Sequence, residues 1–330
     1  MLKPVIALLS TALLAAAASN PLTSTGCADP SGLQTCQNAA NQKTSACIAQ
    51  ANKDGSQQEI LACGCQDYVN NFNCYATHCW NRVWECEYQE YIISYLTNCP
   101  IGKLPVPYFP APDNAADACS CNLGKVFLAV QDSILEAAAC TNNANGPDPG
   151  TNLQVIEGCN CCEISGGLSS LFEICPKTDP KIIGLSNISQ RSQELSVDFS
   201  KCGSYMSQYN CINDLHYSVT GVSTFYAPDD PVTTGTETLS NVPGTVTAPP
   251  SGAVFSYTNG GDKAVYTISA AGVKKGGKDS GPTPAVSENN GDATESGNAK
   301  ETGSSKNEGA ALEVGKYFVA IAVSVSIFAF

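Results

Sequence analysis

The chain is poor in the residues that most often carry chemistry. Its 330 residues include two histidines, His78 and His216, two methionines and two tryptophans. Metal or acid–base sites built on histidine therefore have almost no material, and each histidine is expected at a surface or a helix end. There is no Gly-x-Ser-x-Gly elbow, no His-Glu-x-x-His, no P-loop and no Cys-x-x-Cys-His haem attachment signal. Basic residues are also scarce: 17 Lys and Arg stand against 30 Asp and Glu, a net charge of −13. That balance argues against nucleic acid and against anionic lipid headgroups as partners. No apolar run reaches the ~20 residues that span a bilayer. No cysteine follows Cys211.

What is present begins with two short apolar segments. Lys3 followed by the apolar run Val5 to Ala18, with small residues from Ala16 to Ser19, has the form of a secretory signal peptide over 1–19. Tyr317 to Phe330 is apolar and uncharged over 14 residues. As a helix it would reach about 21 Å, against a hydrocarbon core of about 30 Å. Small residues and a polar spacer lie before it, the layout of a glycosylphosphatidylinositol (GPI) attachment signal over 306–330. Gly303 and Asn307 both fit as attachment residue. The expectation is a mature chain on the extracellular face of the plasma membrane or in the cell wall, held to the membrane through a GPI lipid only.

Secretion places the cysteines in an oxidising compartment, where disulfides are the default and thiolate metal sites are not. There are 18: Cys27, Cys36, Cys47, Cys63, Cys65, Cys74, Cys79, Cys86, Cys99, Cys119, Cys121, Cys140, Cys159, Cys161, Cys162, Cys175, Cys202 and Cys211. They define a cysteine-rich region, 20–216. Leu104 to Asn114 carries four prolines and reads as an extended linker. It divides the region into 20–104 and 113–216, with nine cysteines on each side. Complete pairing then requires an odd number of disulfides between the halves, which predicts one compact unit. Each half also repeats a Cys-x-Cys motif and a Cys-Pro, as a degenerate duplication would.

The composition of this region predicts a mainly α, disulfide-rich head, with helices over 34–52, 57–69, 74–98, 124–140, 167–175 and 189–211. Cys36 and Cys47 are three turns apart and share a helix face; Cys79 and Cys86, two turns apart, are expected to do the same. On a continuous helix from Cys74, the rings of Trp80, Trp84, Tyr88, Tyr91 and Tyr95 fall within about 80° of arc. This aromatic stripe is expected to pack in the core. Its sharper reading is a platform for a sugar, a sterol or a flat ring. Glu85, Glu87 and Glu90 are expected in solvent.

Beyond the cysteines, Ala253 to Thr258 and Lys263 to Ser269 flank Asn259-Gly260, a hairpin signal within a β-prone segment, 217–272. Such a hairpin needs a partner surface, either residues 217–226 or the helical region. Residues 273–305 are rich in Ser, Thr, Gly and Pro with few large apolar side chains, and read as a disordered, O-glycosylated stalk. The sequon Asn187-Ile188-Ser189 is expected between helices, where a glycan fits.

Taken together, signal peptide, cystine-rich head, Ser/Thr stalk and lipid-attachment tail resemble the GPI-anchored cysteine-rich surface proteins of filamentous fungi. A narrower resemblance is to the CFEM domain, an eight-cysteine helical fold, some members of which bind haem. Cys63-x-Cys65, Cys74 and Cys79 follow its central spacing, and Cys36 to Cys47 fits a preceding interval. Cys27 and Cys36 are farther apart than in that family. Asp54 lies nine residues before Cys63, farther than the family's haem-ligating aspartate. The leading expectation is a non-enzymatic surface protein with a structural, adhesive or recognition role toward cell-wall glycans or surface proteins. A ligand-binding module for haem, lipid or glycan comes second. A wall-remodelling enzyme with paired carboxylates comes third.

Overall fold

Two residues, Gly55 and Ser56, separate the first two helices, and their chemistry sets the first layer. The computed structural model describes residues 22–144 and 149–273. The signal peptide, both candidate attachment residues and almost all of the expected stalk lie outside the described residues. Helix α1 (Pro30–Asp54) starts at Asp29, whose carboxylate accepts from the Gly32 N–H at 3.0 Å, with Pro30 at the first helical position. It ends at Gly55, in the left-handed region at φ +68°. Ser56 at once caps α2 (Gln57–His78) by accepting from the Glu59 N–H at 3.2 Å, with the Ser-x-x-Glu spacing of a capping box. So short a connection folds the helices back as an antiparallel pair. Cys36–Cys74 and Cys47–Cys63 staple them, and the spacing is eleven residues on both helices. Cys36 and Cys47 do share a face, and it is turned to α2.

The continuous helix expected from Cys74 to Asn98 is instead interrupted at Cys79. A 3-10 turn (Trp80–Arg82) intervenes, and α3 (Cys86–Asn98) starts afresh. No glycine or proline marks the break, because tertiary contacts make it. Cys79 is bonded to Cys27. The Asn81 side chain accepts from the Ala28 N–H at 2.8 Å and donates to the Gly26 carbonyl at 2.8 Å. Cys86 bonds in another direction, to Cys119, so Cys79 and Cys86 do not share a helix face. Cys65–Cys99 then ties the end of α3 to α2.

The second half uses the same device. Helices α4 (Leu123–Asn143) and α5 (Pro149–Ile174) form a pair stapled by Cys140–Cys159 and by Cys121–Cys175. Helix α5 runs far beyond the expected 167–175. The glycines that lowered its propensity permit close packing: a Cβ on Gly166 would meet the Ser133 Cβ at 3.0 Å, and one on Gly167 the Ile188 side chain at 2.7 Å. The single helix expected over 189–211 is two, α6 (Leu185–Glu194) and α7 (Cys202–Gln208). Ser196, at φ +57°, turns the chain between them, and Asp198 caps the 3-10 turn that follows. Cys161–Cys202 and Cys162–Cys211 tie this end to α5. Asn187 lies in the first turn of α6 and is 7% exposed. The sequon is therefore helical and its asparagine buried, not set in an open loop.

Of the nine disulfides only Cys86–Cys119 crosses between the halves, the odd number that nine cysteines on each side require. The proline-rich segment between them is not the extended linker expected: Val106 and Phe109 bridge across a tight turn at Pro107-Tyr108, with Tyr108 at φ +59°, and the segment packs inward. Val106, Phe109 and Ala111 are buried, and the wholly buried Gln89 side chain donates to the carbonyls of Val83 and Tyr108 and accepts from the Ala111 N–H. The chain after Cys211 then runs back over both halves as a strap. The Tyr217 hydroxyl donates to the Cys159 carbonyl at 2.6 Å. Glu237 pairs through its backbone with Lys177 and Asp179, and Ser240 and Val242 pair with Ser120 and Ala118 beside the crossing disulfide. Strands β1 (Val254–Thr258) and β2 (Val265–Ser269) form the expected antiparallel hairpin, with Val254 opposite Ser269. It docks on the helices of the first half, not on residues 217–226. Among the described residues no helix is long and apolar enough to cross a membrane.

Each half keeps four internal disulfides, so the paired substitution Cys86→Ser and Cys119→Ser should lower stability by about 3 kcal/mol while leaving the far-ultraviolet helical signal intact. Urea unfolding followed by circular dichroism measures both. An unchanged midpoint would show that this bond carries none of the load assigned to it.

Candidate functional site

The aromatic stripe is the first candidate, and the break at Cys79 divides it. Trp80 lies on the 3-10 turn, Trp84 follows it, and only Tyr88, Tyr91 and Tyr95 are on α3. Tyr88 and Tyr95 are fully buried and Trp80 is 6% exposed. Trp84 and Tyr91 are half-buried. Tyr88 stacks on Tyr75 at 5.4 Å between ring centroids; Tyr95 meets Phe72 edge-on at 5.5 Å, and Tyr91 meets Tyr68 at 5.1 Å. The hairpin and the segment after it then cover the face. The Trp80 indole N–H donates to the Ala271 carbonyl at 2.7 Å. The Tyr257 hydroxyl donates to Asn73 at 2.6 Å, and the Phe255 ring packs edge-on against Tyr108 at 5.4 Å. Burial raises the phenol of Tyr95 to about 12. The platform thus already has an occupant, supplied by the chain itself. The Trp84 indole nitrogen is buried without a hydrogen-bond partner.

The second candidate is a charged cluster that the sequence placed in solvent. Glu85 is 3% exposed. Arg82 grips both of its carboxylate oxygens, with Nε to Oε1 at 2.6 Å, and also donates to the Thr25 carbonyl. Glu87 lies 3.8 Å from the same guanidinium and accepts from Thr23. Asp117 adjoins Glu85, and its carboxyl is raised by burial first, then by the charge and hydrogen bond of Glu85, with Arg82 opposing. Glu90 is half-buried and likewise raised by burial. A glycosidase pair needs separations of about 5 Å or more with room for a sugar between. Here Asp117 adjoins Glu85 beside the crossing disulfide, and Arg82 already holds both Glu85 oxygens, which leaves no space for a sugar between the two carboxyls. A comparable buried pair, Glu163 with Arg191 at 2.5 Å, ties α5 to α6; burial raises Glu163 and the guanidinium opposes it.

His78 sits at the end of α2 with its Nδ1 2.9 Å from Asp29, joining the end of one helix to the start of another. The Gly32 N–H, and then His78, hold the Asp29 carboxyl below the usual range. His216 lines a cleft of about 240 Å³ with Glu136 and Asp214. A larger groove of about 410 Å³ lies between the proline-rich segment and α4, with Pro110, Leu128, Ile174 and Gly221 as apolar lining. The Lys125–Asp113 ion pair, 2.6 Å, stands at its rim. Neither cleft touches the aromatic stripe. Every cysteine is in a disulfide, and among the described residues no group of three or more His, Cys, Asp or Glu side chains is arranged to hold a metal. No protein-family model, no curated protein and no solved structure matches this chain.

The Asp117 shift fixes a sign. Its raised value means that the folded state favours the protonated form. Its contribution is therefore full below the ordinary 3.8 and lost as pH rises through the folded value. Asn at this position keeps a polar side chain, tolerates the φ of +59°, and carries no charge. Asp117→Asn should raise the melting temperature at neutral pH and change it little near pH ~3. A loss at neutral pH, measured by calorimetry, would show that the carboxylate there is stabilising.

Proposed function

We propose that this is a non-enzymatic extracellular surface protein, carried on a GPI lipid at the plasma membrane or cell wall, with a structural, adhesive or recognition role. The observation that carries the reading is the pairing of all 18 cysteines in nine disulfides with none left free, a framework that forms and persists in oxidising compartments. The sequence of the two apolar segments supports export and lipid attachment. The expected partners are cell-wall glycans or surface proteins, consistent with the acidic chain and its resemblance to fungal surface proteins. Both halves staple a helix pair and then use the second cysteine of a Cys-x-Cys motif to reach a later element; we read this as a degenerate duplication. The aromatic stripe is a weaker ligand platform than the sequence suggested, because the hairpin lies on it. The 410 Å³ groove is the better candidate contact surface, since its apolar lining and charged rim remain open.

Phosphatidylinositol-specific phospholipase should release the protein from intact cells into the medium, and the released chain should begin at Ser19 or Asn20. A membrane-bound chain that retains Phe330 after this treatment would contradict the proposal.

A further inference from the structure

The strap holds a row of side chains with no structural employment. From Pro231 to Thr247 the backbone is extended, without helix or strand, and is pinned at two points: Glu237 against Thr178 and Asn241 against Cys119. Val232, Leu239, Val242 and Val246 are the half-buried anchors, while Thr233, Thr234, Thr236, Thr238 and Thr247 are exposed. Many helical hydroxyls are in use. Thr35, Ser45, Ser94, Thr141 and Ser189 on the helices each donate to a backbone carbonyl one turn back. The five strap threonines make no side-chain hydrogen bond. They are exposed on a chain that carries no lysine or arginine between Lys201 and Lys263 and is punctuated by Pro231, Pro243, Pro249 and Pro250.

We propose that these five threonines are O-glycosylation sites, so that the sugar coat extends from the expected stalk onto the folded head. The inference rests on the secretory reading above. Ser/Thr segments with proline are the usual acceptors of such sugars, and an extended backbone gives a transferase access to each hydroxyl. In the transfer, threonine Oγ1 forms a bond to the anomeric carbon of a phosphate-activated sugar. The phosphate leaves with the electron pair of the broken C–O bond, and the hydroxyl proton passes to a base of the transferase. The fold tolerates the product, since these side chains face outward while the valines and Leu239 hold the backbone down. The sugars would stand beside the seam, where the Ser240 carbonyl lies 3.6 Å from the Cys86 sulfur.

The test uses the full chain secreted from a eukaryotic host. Chymotryptic cleavage after Tyr226 and Phe255 gives the peptide Ala227–Phe255, which contains all five threonines. Its mass should exceed that of the bare peptide by whole sugar residues, and alkaline β-elimination should mark the threonines named. Replacing the five by alanine should remove most of the increment and leave the melting temperature nearly unchanged, because no hydrogen bond is lost. A secreted, fully disulfide-bonded protein with an unmodified 227–255 peptide overturns this inference alone, even if sugars occur after Val273. Retention of the chain inside the cell overturns the surface reading and this inference with it.

Discussion

Cysteines two residues apart on a helix point about 200° from each other, so a Cys-x-Cys motif inside a helix is held from two sides. Cys63 and Cys65 on α2, and Cys159 and Cys161 on α5, meet this condition. In each pair the first cysteine staples the helix to the one before it, and the second fastens a later element on the other side. Each of these helices thus becomes the middle member of its half. The apolar core, rich in Tyr, Ile and Val on α2 and α3, forms around helices whose spacing is already covalently limited. The third motif, Cys119 and Cys121, lies before α4 and has a different effect. It sends one bond to each half and so makes the seam of the molecule.

The cysteine-free chain completes what the cystines begin. Its hydrogen bonds fall in order along the second half, over the seam and onto the first half. By covering Trp80 and the face around Tyr95, it turns an aromatic platform into core. The groove on α4 and the outward face of the strap lie apart from that stripe. The Arg82–Glu85–Asp117 cluster, next to Cys86 and Cys119, belongs to the same junction. The Arg82–Glu85 pair holds it together, while the charge of Asp117 opposes it at neutral pH.

Several of these features were legible in the residues. The helices expected over 34–52 and 57–69 left the break between α1 and α2 at Gly55-Ser56, where it lies. Nine cysteines on each side of the proline segment required an odd number of crossing bonds. Asn259-Gly260 between β-prone runs located the hairpin, where the Asn259 side chain accepts from the N–H groups of Gly261 and Asp262. Other features are tertiary in origin and left no local mark. Cys79 ends α2 because a disulfide and Asn81 pull the chain toward residues 26–28. Gly166 and Gly167 lie within α5 because neighbouring side chains occupy the space of a Cβ. Glu85 looked like a solvated acid because its partners, Arg82 apart, come from distant segments. The docking of the strap across both halves has no periodicity to announce it.

The central claim is that two stapled helix pairs are joined by one covalent seam. Non-reducing peptide mapping of the secreted protein, with thiols counted under denaturing conditions, tests it most directly. The account predicts no free thiol and a single cystine between the halves, Cys86 with Cys119. Free thiols at those two positions, or any other cystine linking residues before Leu104 to residues after Pro112, would contradict it.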